Sequence, residues 1–404
     1  MTKYKNYIVW LFIGLSFVVL FIRHLDRTAS RHNDFQVYYV TAQRFVERAD
    51  LYDRPDQSIT PFKYSPVFAF LVSPLSLFSL KTAGAIFFIV SFISLGIVLV
   101  FSKKLIVNGD ISFKENLWIY ILPVILSFRF VLGVFDSGQV SFIIMALVVS
   151  GLTCFEKGKN ILGGALFALS LMFKYMSFIF IPYFLIKRKY KAILFTILFA
   201  AFYCILPAVY TGWDKESDTL AHWLPSISQT SLDRGSWTDY KNQSLHSFIL
   251  RSFMKDSPYQ NIVHSFSLWS FHWTLIVSLI LSALIYLFMI LPRAGLVRPN
   301  AVEYALLFIG MALFSPNAWT FKYIRLIFVY MLLVYYLLKN DPHKHKWLLT
   351  LMTFAFVLTS GGSESLVGDK LQYQCEVLST VTLGALILMF ILFSLKFKKV
   401  RNIP

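Results

Sequence analysis

An all-α integral membrane protein is the fold class this sequence predicts, and three observations carry the prediction. Of the 404 residues, 57% are hydrophobic and only 15% charged, at a mean hydropathy of +0.63. A soluble chain of that length needs far more charged surface. Apolar runs recur along the whole sequence, and the basic residues that bring the formal charge to +17 cluster between them. In those positions the cations read as topology signals and as contacts to membrane lipid or phosphate, and nucleic acid is not an expected partner. Cys154, Cys204 and Cys375 lie far apart, mostly inside apolar runs, which suits neither a disulfide framework nor a metal site.

The elements follow in order. Tyr7 to Ile22 follows Lys3 and Lys5 as a signal peptide would. No small-residue cleavage site comes after it, and Arg23, His24 and Arg27 do, so it reads as a retained anchor. Further spans are expected at 83–101, 117–131, 140–155, 161–173, 177–186, 192–210, 265–291, 300–314, 322–338, 346–360 and 377–396. The segment 62–80 carries Pro66 and Pro74 just after Pro61, which suits a re-entrant or interfacial hairpin better than a straight span. Lys187-Arg188-Lys189, Arg293 with Arg298, Lys344 with Lys346 and the Lys396–Arg401 tail then share one side, the cytoplasm. Lys103-Lys104 and Lys157/Lys159 join them, giving about twelve spans with both termini cytoplasmic. The chain divides into 1–210 (with outer loop 23–62), an outer loop 211–264 and C-terminal spans 265–404, all in one polytopic domain.

Residues from Phe35 to Ala49 place Phe35, Tyr38, Tyr39, Ala42, Phe45, Val46 and Ala49 at helical spacing. An interfacial amphipathic helix is therefore expected in the first outer loop, lying on the bilayer with its aromatic side down. Asp34 opens it. Asp is a favoured N-cap, and from the residues alone a cap or surface charge is the plainer reading of Asp34; Asn33 and Gln36 already have capping-box spacing, however, which would leave its carboxylate free to act as a base.

The outer face is also expected to receive the Phe135-Asp136-Ser137-Gly138-Gln139 turn, Lys174 and the Ser315-Pro316-Asn317-Ala318-Trp319 turn. Lys174 interrupts an apolar stretch, where a charge is costly and marks either a functional phosphate contact or a snorkelling side chain. Arg129, Lys63, Lys322 and Arg325 are further phosphate candidates at that face. Asn242-Gln243-Ser244, followed by Leu245, Phe248 and Arg251, reads as an N-capped amphipathic segment. The eight histidines have no metal-ligand spacing, and no glycine loop cradles a phosphate, so neither a metal nor a nucleotide cofactor is expected.

In their order these patches resemble glycosyltransferase family 87, the polyprenol-phosphate-mannose-dependent enzymes of the multispanning C-type superfamily. The matching stretches are Asp34-Phe35-Gln36-Val37-Tyr38-Tyr39 with Leu51-Tyr52, Tyr64-Ser65-Pro66 with Pro74-Leu75, and Gly138-Gln139. Lys174, Asn242-Gln243-Ser244-Leu245 with Arg251, and Ser315-Pro316 with Trp319 complete the set. The resemblance implies a C-type fold and an enzyme of the plasma membrane whose site faces away from the cytoplasm. It implies transfer of a hexose, mannose by family default, from a polyprenyl-phosphate donor to a lipid or glycan acceptor, by one inverting displacement. Asp34 matches the family's catalytic base. Lys174, Lys63, Arg251 and Lys322 would hold the donor phosphate, and Tyr38, Tyr64, Gln139, Asn242, Gln243 and Trp319 would line the substrate groove. The chain departs from the family where a histidine pair is usual, since Phe321 and Lys322 stand there. A flippase or transporter of lipid-linked sugars, or a polyprenyl-linked glycan ligase or polymerase, would share many of these features.

Overall fold

A computed structural model describes residues 14–26, 33–53, 61–107, 109, 112–232, 234–263, 266, 268–291, 300–340 and 345–397. The start of the first span, His32, Arg293, Arg298, Lys344 and the tail beyond 397 lie outside the described residues. Among those described, every named element is a helix and none is a strand, as suits a chain that must cross a bilayer with its backbone polar groups bonded inside its own segments.

The first half comprises α1 (14–26), α2 (Asp34–Val46), α3 (Pro66–Val72), α4 (Leu80–Ile106), α5 (Phe113–Leu126) and α6 (Phe128–Ser137). It continues with α7 (Ser141–Glu156), α8 (Asn160–Phe173), α9 (Phe180–Ile186) and α10 (Tyr190–Ile205). Then come α11 (Ala208–Thr211), α12 (Trp213–Leu232), α13 (Arg234–Thr238), α14 (Leu245–Phe253) and α15 (Gln260–Val263). The last helices are α16 (Phe271–Ile290), α17 (Ala301–Leu313), α18 (Leu326–Lys339), α19 (Lys346–Ser360), α20 (Glu364–Val377) and α21 (Thr380–Phe397). Five helical stretches are long and apolar enough to cross a membrane, namely Leu80–Ile106, Tyr190–Thr211, Phe271–Ile290, Thr320–Lys339 and Thr380–Phe397. The pair α5 and α6 makes a sixth if counted as one span. The expected spans at 140–155, 161–173, 177–186, 300–314 and 346–360 correspond to shorter apolar helices.

Two expectations change. The span expected at 117–131 is broken: α5 and α6 meet at a 64° bend around Ser127, four residues after Pro123. Nor does α2 turn its aromatic side to the bilayer. Phe35, Tyr38 and Phe45 are buried in the protein, with the Tyr38 ring at 5.0–5.7 Å from those of Tyr64, Phe68 and Phe87. The stripe is apolar for the reason the sequence suggested, but protein covers it. The Pro-rich segment, by contrast, forms only α3 and a 3-10 turn, Ser73–Leu77, with Pro66 in the first turn of α3.

The core lies along α17 and α18, whose side chains are buried on almost every face. Such helices carry no polar stripe because they have no polar surroundings. At the edge, α10 and α16 leave Leu194, Ile197, Leu198, Trp273, Ile280 and Leu284 exposed, as lipid-facing helices do. Charge gathers at both ends of α7 and α8. One end holds Lys189 paired with Glu156 at 2.8 Å and Lys187 paired with Glu303 at 2.8 Å, the latter pair buried. The other end holds Gln139 and Lys174. Near that second end, Arg23 of α1 makes a two-pronged bond to Asp136 at 2.6 and 2.7 Å, fixing the turn that follows α6.

The Lys187–Glu303 pair yields a stability prediction. Glu303→Leu takes the carboxylate away from a buried ammonium and from the Tyr183 hydroxyl that also donates to it, and should cost about 3–5 kcal/mol. Adding Lys187→Met should restore most of that loss. Melting curves of the two variants in the same detergent check it.

Candidate functional site

Four breaks in helical structure build the site, and each has a local cause. Asn33 caps α2, its side chain accepting from the Gln36 N–H at 3.2 Å, so Asp34 is the first helical residue and its carboxylate is left over. Gly138 ends α6 in a left-handed conformation, φ 62°, and a Cβ there would lie 2.6 Å from the Phe35 Cβ. Only glycine both makes the turn and admits α2 so closely. Next along, the Gln139 amide is delivered to the start of α2. At the end of α8 the backbone turns extended at Lys174, φ −153° and ψ 129°, before a 3-10 turn, Tyr175–Ile179. After α17, the Ser315–Trp319 turn leads into a 3-10 segment, Thr320–Arg325.

These breaks converge. The Gln139 side-chain nitrogen donates to the Asp34 carboxylate, and its oxygen accepts from the Lys174 ammonium at 3.2 Å. The same ammonium stands 5.1 Å over the Tyr64 ring, a cation–π contact. Tyr64 shares a 2.7 Å hydroxyl–hydroxyl bond with Tyr38, and its carbonyl accepts from Tyr52 at 2.9 Å. Lys322 donates to Asn317 O and to Ser315 Oγ at 3.3 Å, within electrostatic range of Asp34, as Lys63 is. Arg325 binds the Lys322 carbonyl at 2.6 Å and acts electrostatically on Lys174. Three cations, Lys174, Lys322 and Lys63, thus act on one carboxylate, and Arg325 acts on two of those cations. Burial raises the Asp34 pKa above its ordinary range; Lys174, the Gln139 bond, Lys322 and Lys63 pull the other way without cancelling the rise.

Not every candidate joins this cluster. Arg251 is fully buried and donates to Asp239 O and Ser247 Oγ at 2.6 Å, Ser379 Oγ at 2.6 Å and Asn242 O at 3.0 Å. Both terminal nitrogens of its guanidinium are committed to protein oxygens, and only the buried Nε has no partner among the described residues. Asn242 and Gln243 are also buried, and clasp other loops. Asn242 donates to Ser236 O and Pro316 O at 2.9 Å and accepts from Ala318 N–H at 2.9 Å. Gln243 donates to Tyr240 O at 2.8 Å and Glu376 O at 2.7 Å. These residues hold the turn that carries Lys322 rather than lining open space. Trp319 stays partly exposed on that turn, with Lys241 5.8 Å above its ring. Arg129 pairs with Glu376 at 3.5 Å and donates to Thr359 O at 3.0 Å, apart from the Asp34 cluster.

A polytopic helical membrane protein with one carboxylate ringed by cations at the ends of its helices is the class that fold and site define. The sequence profile of glycosyltransferase family 87 matches residues 62–316, more than half of the chain, which therefore belongs to that family of membrane glycosyltransferases. The matched range includes Lys63, Tyr64, Gln139, Lys174 and Arg251, and leaves out Asp34, Trp319 and Lys322. No curated protein matches the chain.

Arg251 and Lys174 should separate cleanly on mutation. Arg251→Met leaves several buried carbonyl and hydroxyl groups unpaired and should lower stability by about 2–4 kcal/mol. Lys174→Met removes a half-buried charge with one hydrogen bond and should leave the melting temperature nearly unchanged. Thermal melts of the two purified variants measure the contrast.

Proposed function

We propose that this glycosyltransferase moves a hexose from a polyprenyl-phosphate donor to an acceptor hydroxyl, with Asp34 as the base. The observation that carries the reading is the Asp34–Gln139–Lys174 bridge. It sets a carboxylate and an ammonium on either side of one amide, which supports a base and a phosphate contact at those two positions. The acceptor hydroxyl gives its proton to Asp34 as its oxygen attacks the anomeric carbon. The carbon–oxygen bond to phosphate breaks with its electron pair, and the sugar inverts. Lys174, Lys322, Lys63 and Arg325 take up the charge growing on the leaving phosphate, stabilising the transition state more than the ground state. Mannose is the sugar the family resemblance implies. No kinase-like or nucleotide-binding loop is needed, since the donor's activation lies in its own phosphoester.

Gln139 has a distinct part in this scheme. By accepting from Lys174 and donating to Asp34 it keeps ammonium and carboxylate from closing into a direct ion pair. A direct pair would weaken the base and occupy the cation meant for phosphate. Arg251, Asn242 and Gln243 act at one remove, by fixing the 315–325 segment that carries Lys322 and Arg325.

The topology that goes with this reading has about twelve crossings, some made by short or broken helices, in the C-type arrangement. The cytoplasm receives the Lys103, Lys157, Lys187–Lys189 end, and the Asp34 site faces the opposite side of the plasma membrane. Two observations support that sidedness. Asp34, Gln139 and Lys174 gather at one end of α7 and α8, and the loop-borne lysines gather at the other.

Three measurements test the mechanism. With radiolabelled mannosyl and glucosyl phosphoryl polyprenol and a lipid extract as acceptor source, Asp34→Asn should lower kcat by about 10²–10⁴-fold with donor binding retained. Lys174→Ala should weaken donor binding or lower kcat by about 10²-fold or more; normal values for both would sink the phosphate assignment. The rate should fall as the medium is acidified through the Asp34 pKa, at a pH above the ordinary carboxylate range. Gln139→Leu removes the amide that keeps Lys174 from closing on Asp34, so it should weaken the base and move that acid limb to lower pH. Movement of labelled lipid between leaflets without transfer, untouched by Asp34→Asn, would point instead to a flippase.

A further inference from the structure

Helix α12 looks like an ordinary surface strap until its inward face is read. Asp214, Ser217, Asp218 and His222 are exposed on its outer side. Glu216, Thr219, Leu220 and Trp223 follow the i, i+3, i+4, i+7 stripe that turns inward, where leucines are usual. Glu216 is fully buried, and neither carboxylate oxygen has a hydrogen-bond partner. The buried Trp223 indole N–H is also without one. No cation among the described residues pairs with Glu216; the groups that feel its charge are Tyr52 and Cys204. A carboxylate shut away in this manner needs an explanation, and so does the indole two turns along.

We propose that the inward face of α12 is the subsite for the hydroxyl groups of a sugar on the acceptor. The Glu216 carboxylate accepts from sugar hydroxyls, and the Trp223 indole offers its N–H and an apolar ring face. The two residues are seven apart, about 10 Å along the helix axis, roughly a disaccharide's length. The position fits as well. Tyr52, which senses Glu216, donates to the carbonyl of Tyr64, and Lys174 stands over the Tyr64 ring. One aromatic layer therefore separates the α12 face from the Asp34 cluster.

Access comes from a hinge. Gly212 precedes α12 with φ 86° and open space around its Cβ position, so the backbone there has freedom that other residues lack. Its base is fixed: Tyr210 stacks on Phe45 at 5.5 Å, takes a bond from Arg48 at 3.0 Å and donates to Val46 O at 3.0 Å. Helix α12 can lift about Gly212 while α11 stays bound to the end of α2. Sugar hydroxyls then satisfy the Glu216 carboxylate and the Trp223 indole, which have no hydrogen-bond partner among the described residues. Burial also raises the Glu216 pKa to about 7, a cost to the charged form that hydrogen bonds from sugar hydroxyls would relieve.

The assignment of the sugar to the acceptor rests on the glycosyl-transfer reading of Asp34, and the test keeps the two apart. Methyl α-mannoside and methyl β-glucoside are titrated against the full chain in sugar-free nanodiscs, with binding followed by saturation-transfer NMR. The wild type should bind at least one of them. E216L should weaken that binding at least tenfold while melting no lower than the wild type, and W223F should weaken it severalfold. E216Q, which keeps the shape, covers the case in which E216L folds poorly. In transfer assays E216Q should raise the acceptor KM with kcat largely kept. D34N that transfers normally would sink the base assignment and leave the hexoside result standing. Wild-type protein that binds neither hexoside, or E216L and E216Q that bind as the wild type does, overturns the α12 subsite.

Discussion

The constraint on which the site depends is the cost of placing a carboxylate and an ammonium together at the edge of an apolar protein without letting them neutralise each other. Asp34 and Lys174 are each half-buried, where opposite charges attract far more strongly than in water. Left alone they would form an ion pair with no chemical use. The Gln139 amide prevents this, since it can donate to one and accept from the other in a single plane. Everything that places Gln139 therefore matters to the proposed site, including Gly138 against Phe35 and the Arg23–Asp136 latch.

A second constraint follows from the cations. Lys63 and Arg325 both act repulsively on Lys174 and Lys322, and the Asp34 charge acts the other way on those two. An anion such as a phosphate would relieve that repulsion, which is the physical ground for the phosphorylated donor proposed above. The polar knot of Asn242, Gln243 and Arg251 supplies the rigidity, tying α14, the 315–319 turn and the start of α21 through bonds of 2.6 to 3.0 Å. Charge repulsion at the site is held in place by hydrogen bonding beside it.

How much of this was legible in the sequence depends on range. The helical class, the apolar runs and the failure of 62–80 to form one straight helix came from composition and proline, which act locally. The Asn33 cap and the positions of Asp34, Gln139 and Lys174 came from short motifs, also local. The break at Ser127 was hidden inside a continuous apolar run. The burial of the α2 stripe was hidden too, because periodicity reports an apolar face and not what covers it. Arg251 illustrates the limit: its partners Asp239, Asn242 and Ser379 include one 128 residues away, and a guanidinium bound by carbonyls looks in sequence like one waiting for phosphate. Glu216 sits in a run, Asp214 to Thr219, that reads as solvent-facing throughout, so its burial carried no signal.

The central claim is geometric, that Asp34 and the cation cluster address opposite sides of one anomeric carbon. The most direct test is a structure of the full chain with a non-transferable donor, a polyprenyl phosphonate of mannose, in a lipid nanodisc. The account predicts phosphonate oxygens bonded to Lys174 and Lys322, with the anomeric carbon between that group and Asp34, the carboxylate lying on the face away from the phosphonate. A phosphonate bound elsewhere, or on the same face of the sugar as Asp34, would contradict it.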